Sequence, residues 1–447
     1  MSQPDQISDF KFESVLLESE RLSGPIEMRA AVTDLEITED INMPFLTGRL
    51  VVLDHQNMLS GIDYLGGETV TIKILCTALG STILTKRFYL TRLKDSQKSD
   101  NHGDTHTFEL VEDIMFHANL QNVNRSYSGK TSEIISTISK NFLDKEVSHE
   151  DTDIISSKVI IPNLNPIEAM IWLKDKAYTT EGYPFYLYST LSLDKLVYLD
   201  LGSMISEPAI NKSIPFRWSP DVLHTTDANI QRKILIGYEY RETEDLYSYI
   251  KKGLVGAEYE FIDTIKNKRN IIKFDIVKDA LLPLTEKTLP KTQNSPLYSD
   301  YYKYNEKSFN DYNNKKISYI GGSSAFKTPT SNIISYKERN NVAEYKNDII
   351  CRALREFMVK APITVRANGL DFITGEHASV GNNISIHFLN SNPDASLSLE
   401  EIPRDNKKSG DYLIAAARYK FTKMPQSHKC TVTMSCVKPA NYSTIEY

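Results

Sequence analysis

The chain has no excess of positive charge, few cysteines, no long apolar run and no complete catalytic motif, and each absence removes a class of function. Its 447 residues carry 52 Lys and Arg against 58 Asp and Glu, a net charge of −6. Tight nucleic-acid binding rests on a basic footprint, so DNA or RNA is not expected as a held partner. The most apolar late run, YLIAAARYKF, is interrupted by Arg418 and is far shorter than the roughly 20 residues needed to span a bilayer. The start, MSQPDQISDFKF, is polar and acidic. It lacks the basic and apolar regions of a secretory signal, so a protein made in the cytosol is expected, without membrane insertion.

Four cysteines stand at positions 76, 351, 430 and 436. Cys430 and Cys436 have even spacing, which on a strand puts them on one face about 20 Å apart, too far for a disulfide. No zinc-type spacing occurs, so free and mostly buried thiols are expected. G-x-S-x-G, H-E-x-x-H and the full dinucleotide glycine fingerprint are all missing.

Four fragments of chemistry remain. NRSYSGKTSEII ends in the Gly129-Lys130-Thr131 that closes a phosphate-binding loop, but Asn124 stands where that loop needs its first glycine. The fragment reads better as a helix start, with Thr131 as N-cap, Glu133 in the first turn, and Ile134, Ile135, Ile138 and Phe142 on one face. HGDTH spaces His102 and His106 like a helical metal pair, yet it lies between strands and carries no following Glu, so a solvated loop is expected. The carboxylates Glu239, Glu242, Glu244 and Asp245 of YEYRETED are read as an acidic helix start, and Lys266, Lys268 and Arg269 as the tip of a hairpin. No metal, cofactor or catalytic residue is assigned.

What the chain does have is secondary-structure pattern. Hydrophobic, charged and aromatic fractions of 40%, 25% and 10% are those of a globular protein, and the length suggests two to four domains. FKFESVLLES, IEMRAAVTDLEITED, FLTGRLVVLD, ETVTIKILCTA, TILTKRFYLTRLKD and DTHTFELVED alternate in part and are punctuated by turn residues, predicting a small sandwich or barrel that ends near residue 118. NPIEAMIWLKDKAY predicts a helix with Asn165 as cap, Pro166 in the first turn and Glu168 closing a capping box. YPFYLYSTLSLDKLVYLDLGSM predicts an aromatic hairpin turning around residues 192–195. DLYSYIKKGLVG reads as a short helix closed by Gly253, and AEYEFIDT with NIIKFDI as a hairpin. The longest helix is expected over 341–359, with Val342, Tyr345, Ile349, Ala353, Leu354 and Phe357 on one face. Turn signals at Asn368-Gly369 and Gly381-Asn382 punctuate the strands after it, and NSNPDASLSLEEIPRDNKKSGD reads as an exposed loop.

Residues 290–332 are rich in Tyr, Asn, Lys and Ser and poor in aliphatics, so they cannot make a core of their own. Tyr298, Tyr301, Tyr302, Tyr304 and Tyr312 are the candidate interface residues, because tyrosine offers apolar area with a polar tip.

The order of these elements resembles the baseplate hub proteins of contractile-tailed bacteriophages, which are related to the hub part of type VI secretion spike proteins. The resemblance is carried by EYKNDIICRALREFM followed by RANGLDFITGEHASVGNNI, by the terminal pair DYLIAAARYKFT and HKCTVTMSCVKP, and by NPIEAMIWLKDKAYTTEGYPFYLYS and IKKGLVGAEYEFIDT. It implies a mainly β fold with two tail-tube-like β-barrels and two inserted smaller domains. The first barrel would be 1–118, an α+β insertion 119–215, the second barrel 216–245 with 339–447, and a second insertion 246–338. It implies a homotrimeric, non-enzymatic ring in the virion, made in the bacterial host cytoplasm, that adapts a sixfold tail tube to a threefold central spike. Its partners would be the spike protein, the tail-tube protein and other baseplate proteins. DNA would pass through its channel without specific binding, which suits the acidic balance. Nothing after residue 440 is long enough for a spike, so the spike is expected to be a separate protein. The alternatives are a tail-associated cell-wall hydrolase and a carbohydrate-binding β-sandwich that uses tyrosines as stacking platforms.

Overall fold

The computed structural model describes residues 9–438 apart from 57, 60–61, 63, 65, 77–81, 99–102, 153–154, 221–227, 242–245, 264–267, 282, 285–302, 321–341, 359–362, 370–371, 373–379, 391–401, 406–407 and 424–426. The fold is mainly β. Seven strands open the chain: β1 (Phe10–Glu18), β2 (Ile26–Glu27), β3 (Val32–Asp40), β4 (Thr47–Asp54), β5 (Thr69–Cys76), β6 (Thr82–Lys98) and β7 (Asp104–Glu112). The alternation read from the sequence is the alternation of burial: in β1, Phe10, Phe12, Val15 and Leu17 point inward while Lys11 and Glu13 are exposed.

An α+β segment follows, with α1 (Asp113–Asn119), β8 (Ser126–Lys130), α2 (Thr131–Ile138), β9 (Val147–His149), β10 (Ile155–Ile160), α3 (Pro166–Lys174), β11 (Phe185–Tyr188), β12 (Leu196–Asp200) and α4 (Leu201–Ser206). The capping box forms as expected: Asn165 Oδ1 accepts from Glu168 N at 2.8 Å, and Glu168 Oε2 accepts from Asn165 N at 3.3 Å. This segment has a core of its own around Ile135, Ile138, Ile167, Met170, Leu187 and Tyr198.

The chain continues through β13 (Phe216–Trp218), α5 (Ala228–Arg232) and β14 (Gly237–Tyr240) into α6 (Leu246–Lys252), β15 (Ala257–Asp263) and β16 (Lys268–Phe274). The short hairpin β17 (Lys303–Tyr304) and β18 (Lys307–Ser308) comes next, then β19 (Lys315–Ile320) and α7 (Val342–Met358). Strands β20 (Ile363–Asn368), β21 (Asn383–Phe388), β22 (Gly410–Lys423) and β23 (His428–Val437) complete the described chain.

Thirteen strands belong to one sheet, in the order β14-β20-β23-β22-β3-β4-β7-β6-β5-β1-β2, with β21 branching from β22 and carrying β13. Its branch point is β22. Residues 410–413 of that strand pair with β21, whereas 416–422 pair with β3, and the register with β23 slips between Ile414 and Ala416. A bulge at Ala415 therefore re-aims one strand into two neighbourhoods, and Ile41 N takes up the freed Ala415 carbonyl at 2.9 Å. The pairing carries the sheet across both segments expected to form barrels. Its path stays open among the described residues, where closed barrels were expected. The edges of β1 and β23 meet only at their ends, with Asp9 N donating to His428 O at 2.8 Å and Phe10 packed edge-on against Phe421. A two-residue approach curls the sheet without giving a ladder.

Candidate interaction surfaces

Sequence phase explains the first of the joints that hold the parts together. Glu39 follows Leu35 and Ile37 at period two, and Glu112 follows Phe108 and Leu110, so both carboxylates lie on the core side of their strands. Burying them unpaired would be prohibitive. The turn between β11 and β12 supplies partners. Leu191 N donates to Glu39 Oε1 at 2.5 Å, and Glu112 Oε2 accepts from Ser189 Oγ at 3.2 Å and from Leu46 N at 2.9 Å. Lys86 Nζ donates to Leu193 O at 2.7 Å and stands 3.9 Å from Glu112 Oε1. Burial pulls the Lys86 ammonium below its usual value, and the Glu112 carboxylate opposes that. The sequence reading passed over these groups, although a charge in the apolar phase of a strand was the available signal. Beside this turn, Gly381 has a φ of +88° and its backbone lies so close to the Tyr188 hydroxyl that a side chain would collide with it.

A second joint is α7. Ile349, Ala353 and Leu354 are buried as its periodicity predicts, while Val342 and Tyr345 carry side chains outside the described set. On one flank Arg355 Nη1 meets Asp175 Oδ1 at 2.5 Å, Arg355 Nη2 donates to Lys174 O at 2.9 Å, and Asn347 Nδ2 donates to Thr180 O at 2.6 Å. On the other, Arg352 Nη2 donates to Tyr259 Oη at 3.0 Å and Lys346 pairs with Asp279 at 2.6 Å. One helix thus keys the α3 region to the β15–β16 sheet.

Of the candidate interface tyrosines, Tyr304 and Tyr312 are 63% and 41% exposed, whereas Tyr298, Tyr301 and Tyr302 lie outside the described residues. The Tyr304 and Tyr312 rings sit 6.2 Å apart, and Tyr312 Oη donates to Tyr304 O at 2.5 Å. Asn305 and Glu306 form the hairpin turn with φ of 49° and 64°. The lobe beneath is anchored. Asn314 Nδ2 donates to Ile250 O at 3.1 Å, Lys316 Nζ to Lys251 O at 3.0 Å, and β19 pairs in parallel with β15. Of the tyrosine-rich region, the described part borrows a strand partner through β19.

The solvent side of the large sheet shows a further pattern. Reading across the ladder, Lys420 faces Glu36, Glu36 faces Arg49, Arg49 faces Glu109, and Glu109 faces Arg92. Arg92 and Glu109 form a 2.6 Å pair, and Lys420 lies 3.8 Å from Glu36. Cross-strand neighbours of opposite sign make this row close to neutral.

The remaining fragments resolve as follows. Lys130, and not Thr131, precedes the first turn of α2. Its N–H donates to Glu133 Oε2 at 3.1 Å, and its ammonium pairs with Asp151 at 2.6 Å, a carboxylate where a phosphate would have to sit. His106 is not in a solvated loop: it is buried in β7 with Nδ1 3.2 Å from Ser96 Oγ, because its strand phase turns it away from solvent. His102 lies outside the described residues. Glu239 is on β14, paired with Arg241 at 2.8 Å, and not at a helix start; Glu242, Glu244 and Asp245 lie outside the described residues. Arg269 belongs to β16 and pairs with Glu260 at 2.5 Å, while Lys266 falls outside the described set. The loop expected to be exposed after β21 is largely outside that set too, but its Ile402 is buried. All four cysteines are free and buried, and burial alone pushes the Cys76 thiol up to about 11. Among the described residues no group of three His, Cys, Asp or Glu side chains is placed to hold a metal, and no helix is long and apolar enough to cross a membrane.

No family model matches the chain, and no curated protein matches its sequence. Solved structures do. The 43 kDa tail protein of prophage MuSo2 from Shewanella oneidensis aligns at a TM-score of 0.50 and 12% identity, over 96% of this chain and 99% of that one. A tail protein from Neisseria meningitidis MC58 aligns at 0.48 and 10% identity, over 95% and 96%. Prophage tail protein gp18 from Listeria monocytogenes EGD-e aligns at 0.42 and 10% identity, over 94% of each chain. The resemblance drawn from the sequence holds at the level of the fold, which the chain shares with the Shewanella oneidensis prophage tail protein.

Proposed function

We propose that the chain is a structural subunit of a phage-type tail baseplate, forming a homotrimeric hub ring between a tail tube and a central spike in the virion. The observation that carries this reading is the agreement with the Shewanella oneidensis prophage tail protein across nearly the whole of both chains. The organisation around it fits a ring subunit. The 13-stranded sheet ends in the short edges β14 and β2, and subunits related by closed cyclic symmetry would cover such edges without open-ended growth. The segments 1–118 and 216–245 with 339–447 would be its two tube-like halves, and 119–215 and 246–338 its insertions.

The near-neutral charge row of Lys420, Glu36, Arg49, Glu109 and Arg92 would suit a channel wall. With three cations against two carboxylates the row carries a net +1, so it offers passing DNA only a slight basic footprint and little counterion-driven hold. The buried ionic joints around Glu39 and Glu112 are read as structural and not catalytic, since Leu191 N, Leu46 N and Ser189 Oγ, which they accept from, belong to turns and strands that they secure.

Light scattering on the eluting peak of a size-exclusion column, over a range of protein concentrations, tests the ring. The expected mass is about three times the 50.9 kDa of the chain. A monomer at every concentration counts against a self-assembling hub.

A further inference from the structure

The branch of the large sheet that carries β13 and β21 holds a row of cations without a counter-charge. In the parallel pairing of β13 with β21, Arg217 stands beside His387, so both side chains leave the sheet on one face. On the opposite edge of β21, Arg404 bridges Leu389, two residues on from His387, and its Nη1 lies 3.5 Å from His387 Nε2. A guanidinium can only donate, so this contact requires a neutral imidazole with its proton at Nδ1. His387 and Arg217 are half-buried and Arg404 is exposed, which leaves the row open to solvent.

Among the described residues neither guanidinium forms an ion pair. The nearest carboxylates do not close the balance. Asp405 is taken by Lys408, whose Nζ lies 3.2 Å away and whose N–H donates to Asp405 Oδ1 at 3.1 Å. Asp411, on β22 opposite Ser385, acts on His387 but pairs with neither arginine. Two guanidiniums against one carboxylate leave a net +1 around an imidazole that is itself uncharged. Burial, then Arg404, then Arg217 hold the imidazole down at about 4 against the pull of Asp411. The backbones fix this arrangement: Arg217 N donates to Lys233 O at 2.9 Å, Leu235 N to Arg217 O at 2.8 Å, and beside Arg404 both Asn390 N to Pro403 O and Asp405 N to Phe388 O span 2.8 Å. Donors fixed before a ligand arrives bind it at small entropic cost.

We infer that Arg217, His387 and Arg404 form a binding site for an oxyanion of the carboxylate or phosphate class. The planar fork of a guanidinium matches two oxygens on one centre, which such a group offers and a halide does not. A cluster one strand wide holds a single group of this kind and not the extended phosphate track of a nucleic acid. A bound anion favours the charged imidazolium, so His387 becomes a third cationic donor once the site is filled. Its midpoint is then higher in the filled site than in the empty one. The extra affinity is therefore complete below the empty-site midpoint and lost as pH rises through the filled-site one. The site needs only one chain, so it stands or falls apart from the ring reading.

The test follows the His387 ring signals by NMR in the full chain labelled at histidine, assigned by their loss in His387→Gln. In chloride the midpoint should lie at about 4. In phosphate of equal ionic strength it should rise to about 5 or above, and near pH 6 the signals should shift saturably as phosphate is added. Acetate is the second probe, and whichever of the two binds more tightly identifies the group as a phosphate or a carboxylate. Arg217→Gln and Arg404→Gln should each weaken binding by about tenfold or more. Each should also raise the midpoint in chloride, because a repelling charge is gone. Arg404 is exposed, so its variant keeps the test decisive if Arg217→Gln loosens β13. Between β21 and Arg404 the sequence carries Asp394, Glu400 and Glu401, which lie outside the described residues. A midpoint already near 6 in chloride, brought down by Asp394→Asn with Glu400→Gln and Glu401→Gln, would make the anion the chain's own and overturn an added ligand. Phosphate and acetate that both leave the midpoint where chloride has it would overturn the site.

Discussion

Two tyrosine-bearing hairpins in this chain have opposite fates. The β11–β12 hairpin, FYLY and LVYLD, is swallowed, with Phe185 and Tyr198 stacked 4.9 Å apart and its turn gripped by Glu39, Glu112 and Lys86. The β17–β18 hairpin holds Tyr304 out to solvent on a left-handed turn, with Tyr312 packed beside it from the segment that follows. Aromatic content does not separate them. What separates them is whether the turn finds buried groups that need its donors and acceptors, as Leu191 N, Ser189 Oγ and Leu193 O are needed.

The sharpest way to break the comparison is to truncate one tyrosine in each hairpin. Tyr198→Ala removes a side chain with 0% exposure from the α+β core and should cost about 3–5 kcal/mol, as for other large buried aromatics. Tyr304→Ala, measured on the monomer, should stay within about 0.5 kcal/mol of the parent. Denaturant unfolding of both variants checks the pair. Equal losses would mean that the outer hairpin is packed as the inner one is.

These fates were only partly legible in the sequence. Asn165, Pro166 and Glu168 announce their helix because a capping box is local, and β1 to β7 announce themselves because alternation is local. The switch of β22 from β21 to β3 is not local: Ala416 pairs with Asp40 across most of the chain, and nothing near Ala415 marks the bulge. The parallel pairing of β19 with β15 was hidden likewise, since it depends on a crossover between segments distant in sequence. His106 looked solvated beside Gly103 and Asp104, although its strand phase matched Phe108. The joints at Glu39 and Glu112 could have been found by the same phase argument, applied to charges as well as to apolar residues.

A medium-sized effect should sharpen the contrast at the edge of the swallowed hairpin. Glu150 follows β9, with its N–H donating to Tyr198 O at 3.1 Å. Burial raises its carboxyl to about 7, and a hydrogen bond with the Asp200 carboxyl adds to the rise. Asp200 itself is engaged by Gly202 N, Ser203 N and Ser203 Oγ at 2.7, 3.1 and 2.6 Å. A carboxyl whose folded value lies above its unfolded one binds its proton more tightly when folded. Its favourable contribution is therefore complete below about 4.5 and lost as pH rises from there through about 7. Glu150→Gln keeps a hydrogen-bonding group and cannot ionise, so its melting temperature relative to the parent should climb between pH 5 and pH 8. A difference independent of pH would show that the Glu150 carboxyl is not raised in the folded protein.

The smallest expected effect lies in the outer turn, where the two hairpins differ in what holds them. If the β17–β18 turn is strained for the sake of what it presents, relieving the strain should stabilise the protein and leave the presentation alone. Glu306→Gly puts a residue without a Cβ at a φ of 64°. The relief, of order 1–2 kcal/mol for a left-handed residue, is offset by the greater freedom of glycine in the unfolded chain. A net gain of a few tenths of a kcal/mol is expected, visible as a small rise in the melting temperature. The Tyr312 hydrogen bond to the Tyr304 carbonyl does not pass through the Glu306 side chain, so that contact should persist alongside the gain. A loss of stability would reveal that the Glu306 carboxylate, and not its backbone, holds the turn, making the outer hairpin a device kept by its side chains in the way that the inner one is.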